Sequence, residues 1–417
     1  MTTTKNNEHK NIKAPNLRFK EFQGEWEKCK LGDKCDLLCG YAFDGKDIVE
    51  QGAYLLIRGI NITEGIIRHS SELDRYYSGS VDNLAKYKLT TGDLVIGMDG
   101  SKVGRNSAIV SSTENGSYLV QRVCRIKSCI GNDFILQLVN NHKFHKYVDM
   151  VKTSSAIPHI SLKDIQNFPI AVPSIQKEAD KISRLFHLLD ERIATQNKII
   201  DKLQSLIKGL EDNLLDNPLW EKTYLRSFMQ FFSTNSLSWE QLSYEEGEIR
   251  NLHYGLIHGF QTRGINSASL PMIKNEAKPK QYTLCQVGDV AFADASEDTG
   301  EIAKSVEFVD AIEGDTICGL HTIHGRDIKN RTIVGFKGFV FHSRYFHNQI
   351  KRLAQGTKVF SITANNLSSC YVYLPDLETQ KAIVELLKAY EAQLIVSRKT
   401  LKQYEKQKQY LLRQMFI

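Results

Sequence analysis

The stretch Ile182-Ser-Arg-Leu-Phe186-His-Leu-Leu189-Asp-Glu-Arg-Ile193-Ala-Thr-Gln196-Asn-Lys-Ile-Ile200, continued through Leu203, Ile207, Leu210 and Leu214, decides the fold. Its seam positions recur in alternating steps of four and three, the spacing of a coiled coil. Moving each seam position on by 201 gives Ile383, Leu387, Tyr390, Leu394, Ser397, Leu401, Tyr404, Lys408, Leu411 and Met415. The polar interruption falls at the same place in both copies, Gln196 and Ser397, so this is a repeat. The expected helix–helix interface is Ile182, Phe186, Leu189, Ile193, Ile200, Leu203, Ile207 and Leu210 against Ile383, Leu387, Tyr390, Leu394, Leu401, Tyr404, Leu411 and Met415. The two copies are expected to pair as an antiparallel coiled coil. The alternative is that each packs as an ordinary amphipathic helix on its own domain. Leu185, Leu188, Ile199, Leu206 and Leu215 widen the first stripe beyond a two-stranded seam and leave room for a second partner surface. A helix of ~35 residues is roughly 50 Å long, which makes it a spacer.

Outward from the helices, the 417 residues divide into alternating segments. Residues 1–15 read as a disordered polar leader, and 16–175 as a first β-rich domain. The central helix takes 176–217, a second β-rich domain takes 218–376, and the C-terminal helix takes 377–417. The expected fold class is therefore α+β. In the first domain, strand-like runs occupy Tyr54–Arg58, Leu94–Met98, Ala108–Val110 and Tyr118–Val123, with helical periodicity over Phe134–Val151. Thr283–Ala293 and Thr332–Phe341 read as strands of the second. Pro218 must break the central helix. The halves echo one another: Trp26-Glu-Lys28 with Trp220-Glu-Lys222, Gly92-Asp-Leu94 with Gly288-Asp-Val290, and Pro158-His-Ile-Ser161 with Phe360-Ser-Ile-Thr363. A shared frame with divergent faces suggests two modules doing one job on different targets.

Charged residues make up 24% and hydrophobic ones 41%, as in a soluble globular chain, and no apolar run approaches the ~20 residues of a membrane span. The polar N-terminus lacks a signal-peptide core, so a cytoplasmic address is expected. A formal charge of +6 is compatible with nucleic-acid binding without proving it. The eight cysteines are scattered, and free buried thiols are expected for the Cys29, Cys35 and Cys39 group.

Motifs for chemistry are missing. There is no GxxxxGK[ST] phosphate loop and no persuasive Gly-rich nucleotide turn. Asn217-Pro-Leu-Trp220 lacks the second proline of the amino-methyltransferase motif and sits where a helix must stop. Asp376 and Glu378 are too close in sequence for a nuclease metal site and suit a helix N-terminus. His321 and His324, three apart in a strand-like run, point to opposite faces, so no metal site is expected. What remains are polar and basic loops rimming each β-rich domain. Arg58, Asn61, Arg68, His69, Lys102 and Arg105 belong to the first; His253, Tyr254, His258, Gln261, Arg263, Lys304 and Lys358 belong to the second. Arg and Lys can hold phosphates or read guanine, and Asn or Gln can read adenine. Individually each suits a solvated surface; as a set on two duplicated modules they point to nucleic acid.

The chain resembles the specificity (S) subunit of type I restriction-modification systems over nearly its whole length. The resemblance rests on Leu89-Thr-Thr-Gly-Asp-Leu-Val-Ile-Gly-Met-Asp-Gly-Ser-Lys-Val-Gly-Arg105, Ile157-Pro-His-Ile-Ser161, Gly356-Thr-Lys-Val-Phe-Ser-Ile-Thr363 and Pro375-Asp-Leu-Glu-Thr-Gln-Lys-Ala-Ile383. The first copy of the last motif, Pro173-Ser-Ile-Gln-Lys-Glu-Ala-Asp-Lys-Ile182, is one residue longer with its Gln moved. The resemblance implies two target recognition domains, each reading half of a bipartite double-stranded DNA sequence, with the helices setting the spacer. It implies no catalytic centre and no cofactor in this chain. Two modification subunits would bind S-adenosylmethionine and methylate adenine, and restriction subunits would use ATP and Mg. Two other classes stay open at this point: a self-sufficient DNA methyltransferase or endonuclease, and a non-catalytic coiled-coil scaffold.

Overall fold

The computed structural model describes residues 14–260, 263–312 and 314–417. Most of the expected leader therefore lies outside the described residues. The chain forms two compact units, Met1–Gln196 with Thr400–Ile417, and Asn197–Lys399. No helix is long and apolar enough to cross a membrane among the described residues.

The two repeats form helices of 39 residues each, Gln176–Leu214 and Leu377–Met415. They begin and end 201 positions apart, so the displaced Gln of the first copy does not shift its start. Buried Glu178 instead accepts hydrogen bonds from Arg18 Nε at 2.7 Å and Trp26 Nε1 at 3.3 Å. In the second copy Gln380 is buried, accepting from Ile333 N and donating to Arg331 O and Pro375 O, all at 3.0 Å. Asp376 accepts from Thr379 N at 2.8 Å, so this carboxylate caps the helix as its position suggested. Past the central helix, Leu219 N donates to Asn217 Oδ1, a local turn that the proline helps to fix.

In the first unit the long helices run past each other in opposite directions. Phe186 meets Phe416 with ring centroids 5.8 Å apart, while further along Asp190 pairs with Lys408. Ile182, Phe186, Leu189, Leu411 and Met415 are buried in one core with Trp26, Phe134 and Phe144 of the β-rich domain. Both sequence-level alternatives are thus realised together: the helices pair, and the pair is also a wall of the domain. Each such side chain contributes about 1.5–3 kcal/mol on burial. The second unit repeats the device, with Leu210, Leu214, Ile383 and Leu387 in a core with Phe292, Phe336 and Phe346. Here Leu215, a flanking position, is buried alongside Ile383 and Leu387.

The first unit's main sheet is antiparallel in the order Cys35–Cys39, Val123–Ser128, Leu94–Gly97, Ser107–Ile109. A second sheet contains Tyr54–Ile57 paired in parallel with Tyr118–Leu119. The second unit repeats both. Met229–Phe232, Thr322–Asp327, Val290–Ala293 and Ser305–Phe308 follow in the same order, extended by Gly264–Ile265, and Arg250–Leu252 pairs in parallel with Thr316–Cys318. Glu27–Lys30 pairs with Pro169–Val172 as Glu221–Tyr224 pairs with Tyr371–Leu374. The repeated Gly-Asp turn has one cause in both places. Gly92 and Gly288 sit at φ 91° and 90°, where a Cβ is strained. The next residue's carboxylate then accepts the N–H three residues back, Thr90 to Asp93 at 2.9 Å and Gln286 to Asp289 at 2.8 Å.

Three expectations need correction. Phe134–Val151 is two helices, Asn132–Val139 and His142–Val151, because Asn141 caps the second by accepting from Lys143 N at 3.0 Å. Within Thr283–Ala293 only Val290–Ala293 is a strand. Thr332–Phe341 contains a helix, Phe336–Val340, in place of a strand. Its β-branched and aromatic residues favour extended chain, but buried Glu307 captures the helix start. The Glu307 carboxylate accepts from Gly335 N at 2.8 Å and Gly338 N at 2.7 Å, and pairs with buried Lys337 at 3.0 Å.

Candidate nucleic-acid interface

The first unit brings Arg58, Asn61, Arg68 and His69 together just beyond Tyr54–Ile57. Asn61 is fully buried, donating to Arg68 O at 3.3 Å and Asp74 Oδ1 at 3.4 Å. It holds the turn and has no edge left for a base. Arg58 is half-buried and donates to the Leu73 carbonyl. Burial lowers its pKa, helped by neighbouring Arg75. Arg68 is exposed, with one bond to Ile60 O at 3.3 Å. His69 lies between Asp74 and Glu114, each 3.0 Å away. Burial works against its charged form, but the Glu114 and Asp74 hydrogen bonds prevail and raise the pKa above the ordinary value. Lys102 and Arg105 sit on the loop after Leu94–Gly97, paired with Glu64 at 3.1 Å and Asp149 at 2.6 Å.

In the second unit His253, Tyr254, His258 and Lys304 converge. Buried His253 caps the helix Tyr254–Gly259 by accepting from Gly255 N, and stacks on Trp239 with ring centroids 4.5 Å apart. Its pKa is lowered by burial and by His321. Tyr254 stands edge-on to His321 at 5.3 Å. His258 and Lys304 both engage Glu301, at 3.3 and 2.9 Å. Lys358 is exposed, apart in sequence and strand from this group. Gln261 lies outside the described residues. Arg263 faces the long helices, bridging Glu211 of one and Glu391 of the other.

Two residues that sequence reasoning missed occupy one position in the duplicated frame. Arg122 and His321 each lie immediately before the long strand of the main sheet, at φ 71° and 54°. Each carbonyl accepts from the end of the neighbouring strand, Met98 N at 2.9 Å and Asp294 N at 3.0 Å. Both side chains are exposed. A left-handed conformation at a bulky residue costs on the order of 1–3 kcal/mol and is concentrated at functional sites. Arg58 and His253 share the other position, the first residue after the parallel strand pair. Thus Arg58 with Arg122, and His253 with His321, mark matching edges of the two units. The internal repeat was the available signal; the positive φ was not legible in either residue type.

The His321 and His324 side chains do diverge: His321 Nδ1 contacts Asp294 at 3.0 Å, and His324 Nε2 contacts Asp289 at 2.7 Å. Cys29, Cys35 and Cys39 are free thiols as expected but half-buried instead of buried, because they lie on edge strands of the unit, with Cys39 Sγ against Met98 Sδ at 3.7 Å.

Two units with the same strand order and matching polar edges, each walled by the same helical pair, define a duplicated α+β fold. The model of the type I restriction modification DNA specificity domain matches residues 23–205 and 314–406, well over half of the chain. The protein belongs to this family. It is 29% identical over 186 residues to the type I restriction enzyme EcoAI specificity subunit of Escherichia coli, covering 43% of this chain and 30% of that protein. It is 25% identical over 277 residues to the type I restriction enzyme MjaVIII specificity subunit of Methanocaldococcus jannaschii, covering 62% and 63%. The chain therefore spans less than two thirds of the length of these curated relatives. The S subunit of a type I restriction-modification system from M. genitalium shares the fold, with a TM-score of 0.59 at 15% identity over 97% of this chain and 99% of that one. A chain from a structural study of complex assembly and conformational transition of the type I R-M system gives 0.54 at 14% identity, covering 93% and 96%.

Proposed function

We propose that this chain is the cytoplasmic DNA-reading subunit of a type I restriction-modification complex, each unit recognising one half of a bipartite double-stranded target. The observation that carries this reading is the matched pair of edges, Arg58 with Arg122 and His253 with His321. Arg122 can present two donors to guanine O6 and N7, and His321 can donate or accept at a base edge. Lys102 and Arg105 suit phosphate contacts, since their present carboxylate partners form surface pairs worth about 0–1 kcal/mol and readily exchanged, and Arg68 is exposed with a single bond to a backbone carbonyl. Asn61 and Arg263 act as structural supports of this surface. The chemistry resides on partners: two modification subunits carrying S-adenosylmethionine, and restriction subunits using ATP and Mg. Ile199 and Leu206, two turns apart on one helix face, are 39% and 43% exposed and suit an apolar partner helix. The helices set the length of unread spacer between half-sites.

Methylome sequencing of a host carrying Arg122→Ala or His321→Ala tests this. Each variant should relax or abolish recognition at bases of one half-site and leave the other half intact. Unchanged motifs and methylation levels in both variants would overturn the assignment of these edges.

A further inference from the structure

Among the described residues, one group of His, Cys, Asp and Glu side chains comes close enough to share a metal ion: Cys285, Cys318 and His324. It is built from three segments of the second unit. Cys285 lies where Leu284 bridges Ile317, Cys318 ends the strand Thr316–Cys318, and His324 is inside the strand Thr322–Asp327. All three are buried, and one potential ligand atom from each lies within 4.8 Å of the other two.

We propose that Cys285, Cys318 and His324 bind one thiophilic divalent cation, zinc by preference, as a structural staple of the second recognition unit. Two thiolates on tetrahedral zinc, at ~2.3 Å each, stand roughly 3.7 Å apart. The two Sγ atoms here are 3.6 Å apart before any movement. Zinc-bound histidines commonly have one ring nitrogen held by a carboxylate, and His324 carries such a partner. Its Nε2 donates to Asp289 Oδ2 at 2.7 Å, which leaves the Nδ1 lone pair for the ion. Asp289 is fixed in turn by Arg326, whose Nε and Nη2 donate at 2.8 and 2.7 Å.

Charge closes locally. Binding releases both thiol protons to solvent, two thiolates neutralise the dication, neutral histidine adds nothing, and Arg326 balances Asp289. The fourth coordination position has an outlet: Cys318 and His324 line a cavity of 290 Å³ with Ser233, Thr234, Asn235 and Tyr282. A water there meets hydroxyl and amide partners, as an ordered water requires. The staple would tie together both strands that flank His321, the exposed residue at the turn between them. Two sulfur ligands and one nitrogen favour zinc over magnesium or calcium, which take oxygen.

The full chain, purified under reducing conditions and dialysed against zinc and then metal-free buffer, should retain about one zinc per chain by inductively coupled plasma mass spectrometry. Cobalt in its place should show a sulfur-to-cobalt charge-transfer band with the intense visible absorption of four-coordinate Co(II), a readout on the parent protein that needs no variant. Cys285→Ser and Cys318→Ser should each abolish that band, while Cys370→Ser, which alters a buried thiol elsewhere in the unit, should keep it. A parent chain that retains no metal, a cobalt spectrum without thiolate charge transfer, or full stoichiometry in the Cys285→Ser/Cys318→Ser double variant would overturn the proposal.

Discussion

Replacing Arg263 by Met separates a helix clamp from a DNA contact. The guanidinium joins Glu211 of the central helix and Glu391 of the C-terminal helix, lies 5.4 Å from the Phe339 ring, and is 22% exposed, against 11% and 15% for the two carboxylates. Removing one member of a buried ionic group typically costs about 3–5 kcal/mol. The lower end applies, about 3 kcal/mol, because Arg263 Nε and Glu211 Oε1 lack a well-aligned hydrogen bond even in the parent. For a unit of this size that is a loss in Tm of roughly 6–12 °C at neutral pH. The sign of the pH dependence follows from Glu211. Burial raises its pKa, Arg263 pulls it down, and Glu391 pushes it up again. Without Arg263 the folded-state pKa rises further above the unfolded value of ~4.3. Such an acid costs stability above its folded pKa, and the cost fades as pH falls toward the unfolded one. Circular-dichroism melts of parent and variant should therefore converge between neutral pH and about pH 5. A neutral-pH loss below ~2 °C, or a gap that widens on acidification, would refute the clamp. Salt titration of DNA binding supplies the second arm. The slope of log K against log salt should be unchanged, and a slope shallower by about one would return Arg263 to the phosphate backbone.

Lys337→Met strands the buried carboxylate of Glu307 and should cost about 3–5 kcal/mol, whereas Lys337→Met/Glu307→Gln should be more stable than the single variant; chemical denaturation decides, and additive losses would contradict the ion-pair account. His69, whose pKa is raised, contributes stability that is full below the unfolded value of ~6.5 and is lost as pH rises through the folded one. The Tm gap between parent and His69→Gln should thus be widest below pH ~6.5 and shrink as pH rises above it; a gap that grows with pH would count against the Asp74–His69–Glu114 arrangement. Inserting a heptad into the central helix should change the spacer in the methylome while both half-site sequences persist, and altered half-sites with an unchanged spacer would sink the helical ruler.

Much of the frame was readable because its signals are local or periodic. The seam from Ile182 to Leu214 recurs on each turn of one helix, and its echo 201 residues later exposes the duplication without any contact map. The Gly-Asp turns were legible for the same reason: a glycine at positive φ and a carboxylate three residues from its partner need no tertiary help. The candidate site was less legible. Arg263 and Lys102 look equally basic in sequence, yet one lies between two helices and the other is exposed on a loop.

What the sequence determined alone was therefore periodicity, repeat and family: two long amphipathic helices and two related α+β modules. Only the tertiary structure decided which polar groups are committed. It buried Asn61 and His253 in the turns they support, made Phe336–Val340 helical through Glu307, and gathered Cys285, Cys318 and His324 from separate segments. The reason is physical. A helical seam depends on neighbours three or four residues away, whereas the partner of a buried charge or thiol is chosen by strand pairing between distant stretches of chain.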